Sequence, residues 1–165
     1  MAGDVGFDPL GLSNIDEVGI DLYWLREAEL KHCRVCMMAV VGMIQVELFG
    51  PAPGNEPCTA KNQMDAFWQL WNSHPQYPVA AFIMIMFIEA ISGIATTTGR
   101  ESGERAPGDF GFNPFALADD SAKMMQYKEQ EIANGRLAMW AAAGQIMQGM
   151  TTDEGAVENL FSTFS

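Results

Sequence analysis

Gly3-Asp4-Val5-Gly6-Phe7-Asp8-Pro9-Leu10-Gly11-Leu12 returns later in the chain as Gly108-Asp109-Phe110-Gly111-Phe112-Asn113-Pro114-Phe115-Ala116-Leu117, with six of the ten positions identical. A long, largely apolar stretch follows each copy. Inside those stretches Glu29, Arg34, Met37, Ala39 and Gly42 recur as Glu131, Arg136, Met139, Ala141 and Gly144, at a constant offset of 102 residues. The chain therefore duplicates one unit, a loop leading into a helix, around an unduplicated middle segment. Two copies entering from the same side imply a pseudo-two-fold axis. Small residues on both copies (Ala39, Gly42, Gly135, Ala138, Ala142, Gly144) let the two helices cross closely.

Working outward, three long helices are expected. The first runs from about Ile20 to Phe49 (20–49) and stops at Gly50-Pro51-Ala52-Pro53-Gly54. The second runs from about Pro78 to Thr98 (78–98), ends at Gly99, and has Glu89 as its only ionisable residue between Pro78 and Ala95. That apolar run approaches the length of a membrane span. The third begins behind the cap material Asp119-Asp120-Ser121 and reaches about Met150 (121–150). Shorter amphipathic stretches at 61–71 and 153–164 read as interfacial helices. The expected fold is an all-α membrane protein. Its three transmembrane helices form one domain over 1–165, with the first and third crossed about the pseudo-two-fold.

Composition narrows the function. The 165 residues carry 21 Asp+Glu against 9 Lys+Arg, a net charge of −12, which excludes the basic face that nucleic-acid binding needs. Ten Phe, twelve Met and 48% hydrophobic residues exclude an acidic disordered chain. Three Cys and two His leave no zinc site or disulfide framework. The opening residues Met1 to Ser13 show no targeting segment. With three spans, one side holds Arg26, Lys31, Arg100, Arg105, Lys123 and Lys128, and the other only Lys61. By the positive-inside rule the N-terminus and the loop after the second helix face the same, positive side.

Each copy reads Glu-x-x-[His/Asn]-x-Arg: Glu29, His32, Arg34, then Glu131, Asn134, Arg136. Residues five apart lie about 140° round a helix and pair poorly within it. Across the two-fold, Glu29 can meet Arg136 and Glu131 can meet Arg34, neutralising four charges where unpaired ions are costly. A plain structural cross-link is one reading of these pairs. His imidazole, Glu carboxylate and Asn amide also each offer a lone pair to a metal. Chlorophyll magnesium already has four ring nitrogens and needs one axial donor, so isolated donors scattered along apolar helices suffice.

GFDPLGL, GFNPFAL, ELKHCR and EIANGRLAMWAAAG, at this spacing, resemble the chlorophyll-binding light-harvesting complex family over nearly the whole chain. The resemblance implies that Glu29, His32, Glu131 and Asn134 are axial ligands to chlorophyll magnesium. It also implies that Arg34 and Arg136 neutralise the glutamates and leave an oxygen for the metal. Glu89 in the second helix and Gln148 in the third match further family ligands. The segments around Asp8 and Asn113 hold carotenoid head groups in the family. Unlike green-plant members, the second helix lacks a Gln before its Glu and no His follows Gln148, so fewer protein-ligated chlorophylls are expected. WLREAELKH and the short loops are more similar to the chlorophyll a/c antennae of red-lineage algae, of fucoxanthin or peridinin type.

The implied cofactors are chlorophyll a, chlorophyll c and xanthophyll carotenoids. The implied partners are photosystem core subunits, other antenna proteins and thylakoid lipids, with no nucleic acid, in the chloroplast thylakoid membrane with the N-terminus stromal. The sequence shows no nucleophile–base pair, phosphate loop or triad, so no enzyme is expected. Two alternatives remain. A photoprotective relative would quench rather than harvest. A di-iron helical-bundle enzyme would use Glu-x-x-His, but needs that motif twice, and the second copy has Asn134. Cys33-x-x-Cys36 lies on an apolar helix without redox partners, and His74 reads as a loop residue. The Met-rich runs are adaptable filler against irregular surfaces.

Overall fold

The computed structural model describes residues 2–14, 21–50, 60, 62–113 and 121–164, and every regular element among them is helical. A 3-10 turn at Leu12–Asn14 precedes α1 (Leu22–Phe49), α2 (Gln63–Ser73), α3 (Gln76–Ser102), α4 (Ser121–Thr152) and α5 (Ala156–Phe164). Ile20, the Pro51-to-Gly54 breaker, Lys61, Pro114 to Leu117 and the Asp119-Asp120 cap lie outside the described residues.

Local chemistry sets the helix ends. Asp21 caps α1, its carboxylate accepting the Trp24 N–H at 3.0 Å. Asn62 does the same for α2, accepting the Asp65 N–H at 2.8 Å. Helix α3 is longer than expected at both ends. Pro78 is tolerated because it lies in the first turn, where backbone N–H groups have no helical partner. Gly99 does not end the helix. The turn closes at Gly103, whose φ of +67° only glycine adopts easily and whose N–H donates to the Gly99 carbonyl at 3.2 Å. Helix α5 starts three residues later than expected, at Ala156.

Two helices, α1 and α3, are long and apolar enough to cross a membrane. Only 6% of each apolar window is buried, so neither is the core helix of a soluble globule. Along α3, Phe82, Ile83, Met84, Ile85, Met86, Phe87 and Ile88 are all exposed. Helix α4 does not reach the same apolarity. It carries Lys123, Lys128, Glu129, Glu131 and Arg136, and is uncharged only from Leu137 to Thr152.

The chain packs as two compact units, Met1–Met37 with Ser92–Met139, and Met38–Ile91 with Trp140–Ser165. The first unit displays the duplication directly. Asp4 and Asp109 each accept the N–H of the glycine two residues on, Gly6 and Gly111, both at 3.0 Å. Gly3 sits against Ile132 and Gly108 against Leu30, so each loop packs on the other copy's helix, at residues 102 apart. Ile132 and Leu30 are buried. Cys33, fully buried, touches Gly135, its own counterpart at the same offset. A Cβ at Gly135 would collide with Cys33, so the small residue permits this close approach.

In the second unit Asn62 is 4% exposed and donates to Asp65 and Asp153. Glu47 accepts the Glu158 N–H at 2.7 Å and packs on Gly155, capping α5 from a distant helix. The rings of Phe67 and Phe82 meet edge-on at 6.4 Å.

Candidate functional site

The first unit contains eight of the nine Lys and Arg residues, Lys61 being the ninth. It brings together the duplicated charges. Arg34 Nε lies 2.8 Å from Glu131 Oε1, and Arg136 Nη2 lies 2.8 Å from Glu29 Oε1. The pairing is reciprocal between α1 and α4. It is not symmetric in its surroundings. Arg26 Nη1 also reaches Glu29 Oε2 at 2.6 Å, so both oxygens of Glu29 carry a guanidinium. Among the described residues Glu131 has one cation, Arg34, and no partner for Oε2.

The arginines also hold the N-terminal arm. Arg26 donates to the Ala2 carbonyl at 2.7 Å and Arg136 to the Gly3 carbonyl at 2.9 Å. These guanidiniums neutralise a carboxylate and position the repeat's loop at once.

His32 is exposed, with Nδ1 2.7 Å from the Ala28 carbonyl oxygen. A carbonyl only accepts, so Nδ1 carries the proton of this bond, and in the neutral ring the lone pair is on Nε2. That tautomer is the one an imidazole metal ligand needs, with the backbone carbonyl fixing the ring. Asn134 is exposed, and no partner for its amide occurs among the described residues. Among those residues no three or more His, Cys, Asp or Glu cluster as a metal cage. Lone donors of this kind suit a metal that lacks only one ligand. A chlorophyll magnesium is such a metal.

Other sequence-expected residues have different settings. Asp8 is committed to its own turn, accepting Leu12 N–H and Ser13 N–H at 2.9 Å each and the Ser13 hydroxyl at 2.5 Å. The Ser13 hydroxyl, then its backbone N–H, hold the Asp8 carboxyl below its usual range. Asp21 is likewise lowered, first by the Trp24 N–H and then by Arg100, whose Nε is 2.6 Å away. Asn113 is exposed and lines a groove of about 850 Å³, together with Arg34, Glu131, Phe110 and Met124. Glu89 and Gln148 are exposed and belong to the second unit. His74 stacks edge-on against Tyr77 at 5.7 Å. Cys33 and Cys36 are free thiols.

Arg26, Glu27 and Arg105 act here without having been marked by the sequence motifs. Glu27 is 1% exposed and bonds Thr96, Arg105 and Gly108. A signal existed: Glu27 recurs as Glu129 at the same 102-residue offset.

The family described as "Chlorophyll A-B binding protein" matches residues 1–150. Chlorophyll a-b binding protein 6, chloroplastic, of Arabidopsis thaliana is 32% identical, over 96% of this chain and 66% of its own length. A fucoxanthin-chlorophyll a-c binding protein, chloroplastic, of Chattonella marina var. antiqua is 33% identical, over 92% and 67%. Photosystem I chlorophyll a/b-binding protein 5, chloroplastic, of Arabidopsis thaliana is 32% identical, over 100% and 70%. The chain thus spans about two thirds of the length of these relatives. With the duplicated motif, the reciprocal ion pairs and this match, the chain belongs to the chlorophyll a-b binding protein family.

Proposed function

We propose that the chain is a light-harvesting antenna apoprotein, one domain over 1–165, that holds chlorophyll a, chlorophyll c and xanthophylls in the chloroplast thylakoid membrane. Helices α1, α3 and α4 all cross the bilayer. Two of the charges in α4, Glu131 and Arg136, are neutralised by Arg34 and Glu29. The first unit, which holds eight of the nine Lys and Arg residues, includes the N-terminal arm and the loop after α3, which by the positive-inside rule face the stroma. Photosystem core subunits, other antenna proteins and thylakoid lipids are its partners. The printed names of the relatives support a chlorophyll a-b or a-c pigment set, a chloroplast setting and, for one, photosystem I.

The carrying observation is the pairing of each glutamate of the duplication with an arginine from the other copy, beside the exposed donors His32 and Asn134. Arg34 and Arg136 pair with Glu131 and Glu29 without occupying every lone pair, so each carboxylate keeps an oxygen for the metal. His32 presents Nε2, and Asn134 its amide oxygen. Glu89 and Gln148 supply the donors of the second unit. Asp8, fixed by Ser13, and Asn113 place the two repeat loops beside carotenoid head groups. When bound, the pigments absorb light and pass excitation among themselves; the protein supplies ligation, spacing and dielectric. Refolding the full chain with an algal pigment extract, followed by gel filtration and pigment chromatography, tests this. Co-elution of chlorophylls in fixed stoichiometry is expected. Elution of pigment-free protein would overturn it.

A further inference from the structure

The two repeat loops are anchored by different chemistry. The first is held at its carbonyls, Ala2 by Arg26 and Gly3 by Arg136. The second is held at an N–H as well as a carbonyl, since Gly108 N donates to Glu27 Oε2 at 2.5 Å. Gly108 adopts φ +75°, and Leu30 fills the space a side chain would need, so the backbone descends onto the carboxylate. Glu27 Oε1 takes Arg105 Nη2 at 3.1 Å and shares the Thr96 hydroxyl proton, at 3.2 Å, with the Ser92 carbonyl at 2.8 Å. One buried carboxylate thus joins α1, the end of α3 and the following loop. Arg105 extends the lock, donating to the Asp109 carbonyl at 2.6 Å and lying 4.0 Å over the Phe110 ring. Its side chain is 16% exposed.

The segment fixed in this way, Asp109 to Asn113, forms one wall of the groove whose other walls include Arg34, Glu131 and Met124. Glu129, the counterpart of Glu27, is exposed. A merely architectural glutamate would be expected in both copies of a symmetric lock. Here only Glu27 is buried, the copy that holds Gly108 in the segment lining this groove.

We propose that Glu27 is a positioning residue for the pigment ligated at Glu131, setting the groove wall through Gly108 and Arg105. This rests on the reading of Glu131 as a magnesium ligand. The test refolds the full chain with chlorophylls and carotenoids and reads pigment stoichiometry, difference absorption and visible circular dichroism. Glu131→Leu defines the spectrum of the pigment in question. Glu27→Gln is expected to lose that same chlorophyll with the same difference spectrum, while Glu129→Gln keeps it. Thr96→Val weakens its retention about threefold, less than the loss of a full hydrogen bond to a charged group because the hydroxyl is shared with the Ser92 carbonyl, and Thr96→Ser restores it. The Thr96 pair decides the matter where Glu27→Gln does not refold. Full pigment retention in Thr96→Val, failure of Thr96→Ser to restore it, or a proportional loss of every pigment in Glu27→Gln would overturn the proposal. If Glu131→Leu itself loses no chlorophyll, the ligand reading falls and this proposal falls with it. If Glu131→Leu loses one and the Glu27 and Thr96 variants lose none, only the positioning role is wrong.

Discussion

Removing Arg34 should damage the complex more than removing Arg136, although the two occupy equivalent positions in the duplication. Arg34→Leu leaves Glu131 with no cation among the described residues. Stranding a carboxylate away from water typically costs about 3–5 kcal/mol. Arg136→Leu leaves Glu29 with Arg26, still 2.6 Å from Oε2. What is lost there is one charged hydrogen-bonding partner, about 1.5–3 kcal/mol. The gap of about 1.5–2 kcal/mol corresponds to roughly tenfold or more in assembly equilibrium. Were the pairs simply water-exposed, each would contribute only about 0.2–1 kcal/mol, and neither variant would suffer visibly. A stranded Glu131 can escape by protonating, which makes it a poor magnesium ligand. Arg34→Leu should then lose the chlorophyll at Glu131, on the other helix. Adding Glu131→Gln should restore much of the assembly, because the amide keeps an oxygen donor without the charge. The assay is refolding yield and chlorophyll stoichiometry for both single variants and the double. Equal losses in Arg34→Leu and Arg136→Leu would refute the asymmetry. Strictly additive losses in the double would refute the pairing itself.

Replacing His32 or Asn134 with Leu should remove about one chlorophyll each without unfolding the complex; unchanged stoichiometry by pigment chromatography in both would remove them as ligands. Gly135→Ala drives a methyl into Cys33 and should destabilise the complex by about 1–3 kcal/mol, read as a lower thermal midpoint, with Gly144→Ala, where nothing lies within 4 Å, as a neutral control. The Asp8 carboxyl is depressed in the fold, so the stabilisation that it gives the Leu12–Asn14 turn is present above its ordinary range and lost as pH falls through the lowered value. Ser13→Ala should raise that titration in a carboxyl-resolved NMR experiment, and no change would contradict the hydrogen-bond cause. On right-side-out thylakoids, protease should cut near Arg100 to Arg105 and spare Lys61; the opposite pattern would reverse the topology.

The long helices were legible in the sequence because each contains a long apolar stretch bounded by Gly, Pro or cap residues, and the duplication was legible because its loops repeat. Their ends were less so. Gly99 reads as a helix stop, yet it lies under Arg105 and Tyr23, where a side chain would not fit, and the stop falls at Gly103. The start of α5 is set by Glu47, more than a hundred residues earlier, which no local pattern reveals. At the site, the reciprocal partners followed from the offset and from the poor intrahelical angle. Arg26 was hidden because it completes Glu29 from one turn earlier on the same helix. Glu27 was hidden because two of its partners, Thr96 and Arg105, come from the unduplicated middle segment, and the third, Gly108, bonds through its backbone N–H.

The most direct test of an antenna role is the fluorescence excitation spectrum of the purified, pigment-loaded complex, recorded at the chlorophyll a emission. If these helices hold the pigments for transfer, the excitation spectrum should follow the absorption spectrum through the accessory chlorophyll and carotenoid bands. Emission excited only through the chlorophyll a bands, or quenched whichever pigment absorbs, would contradict light harvesting as the work of this chain.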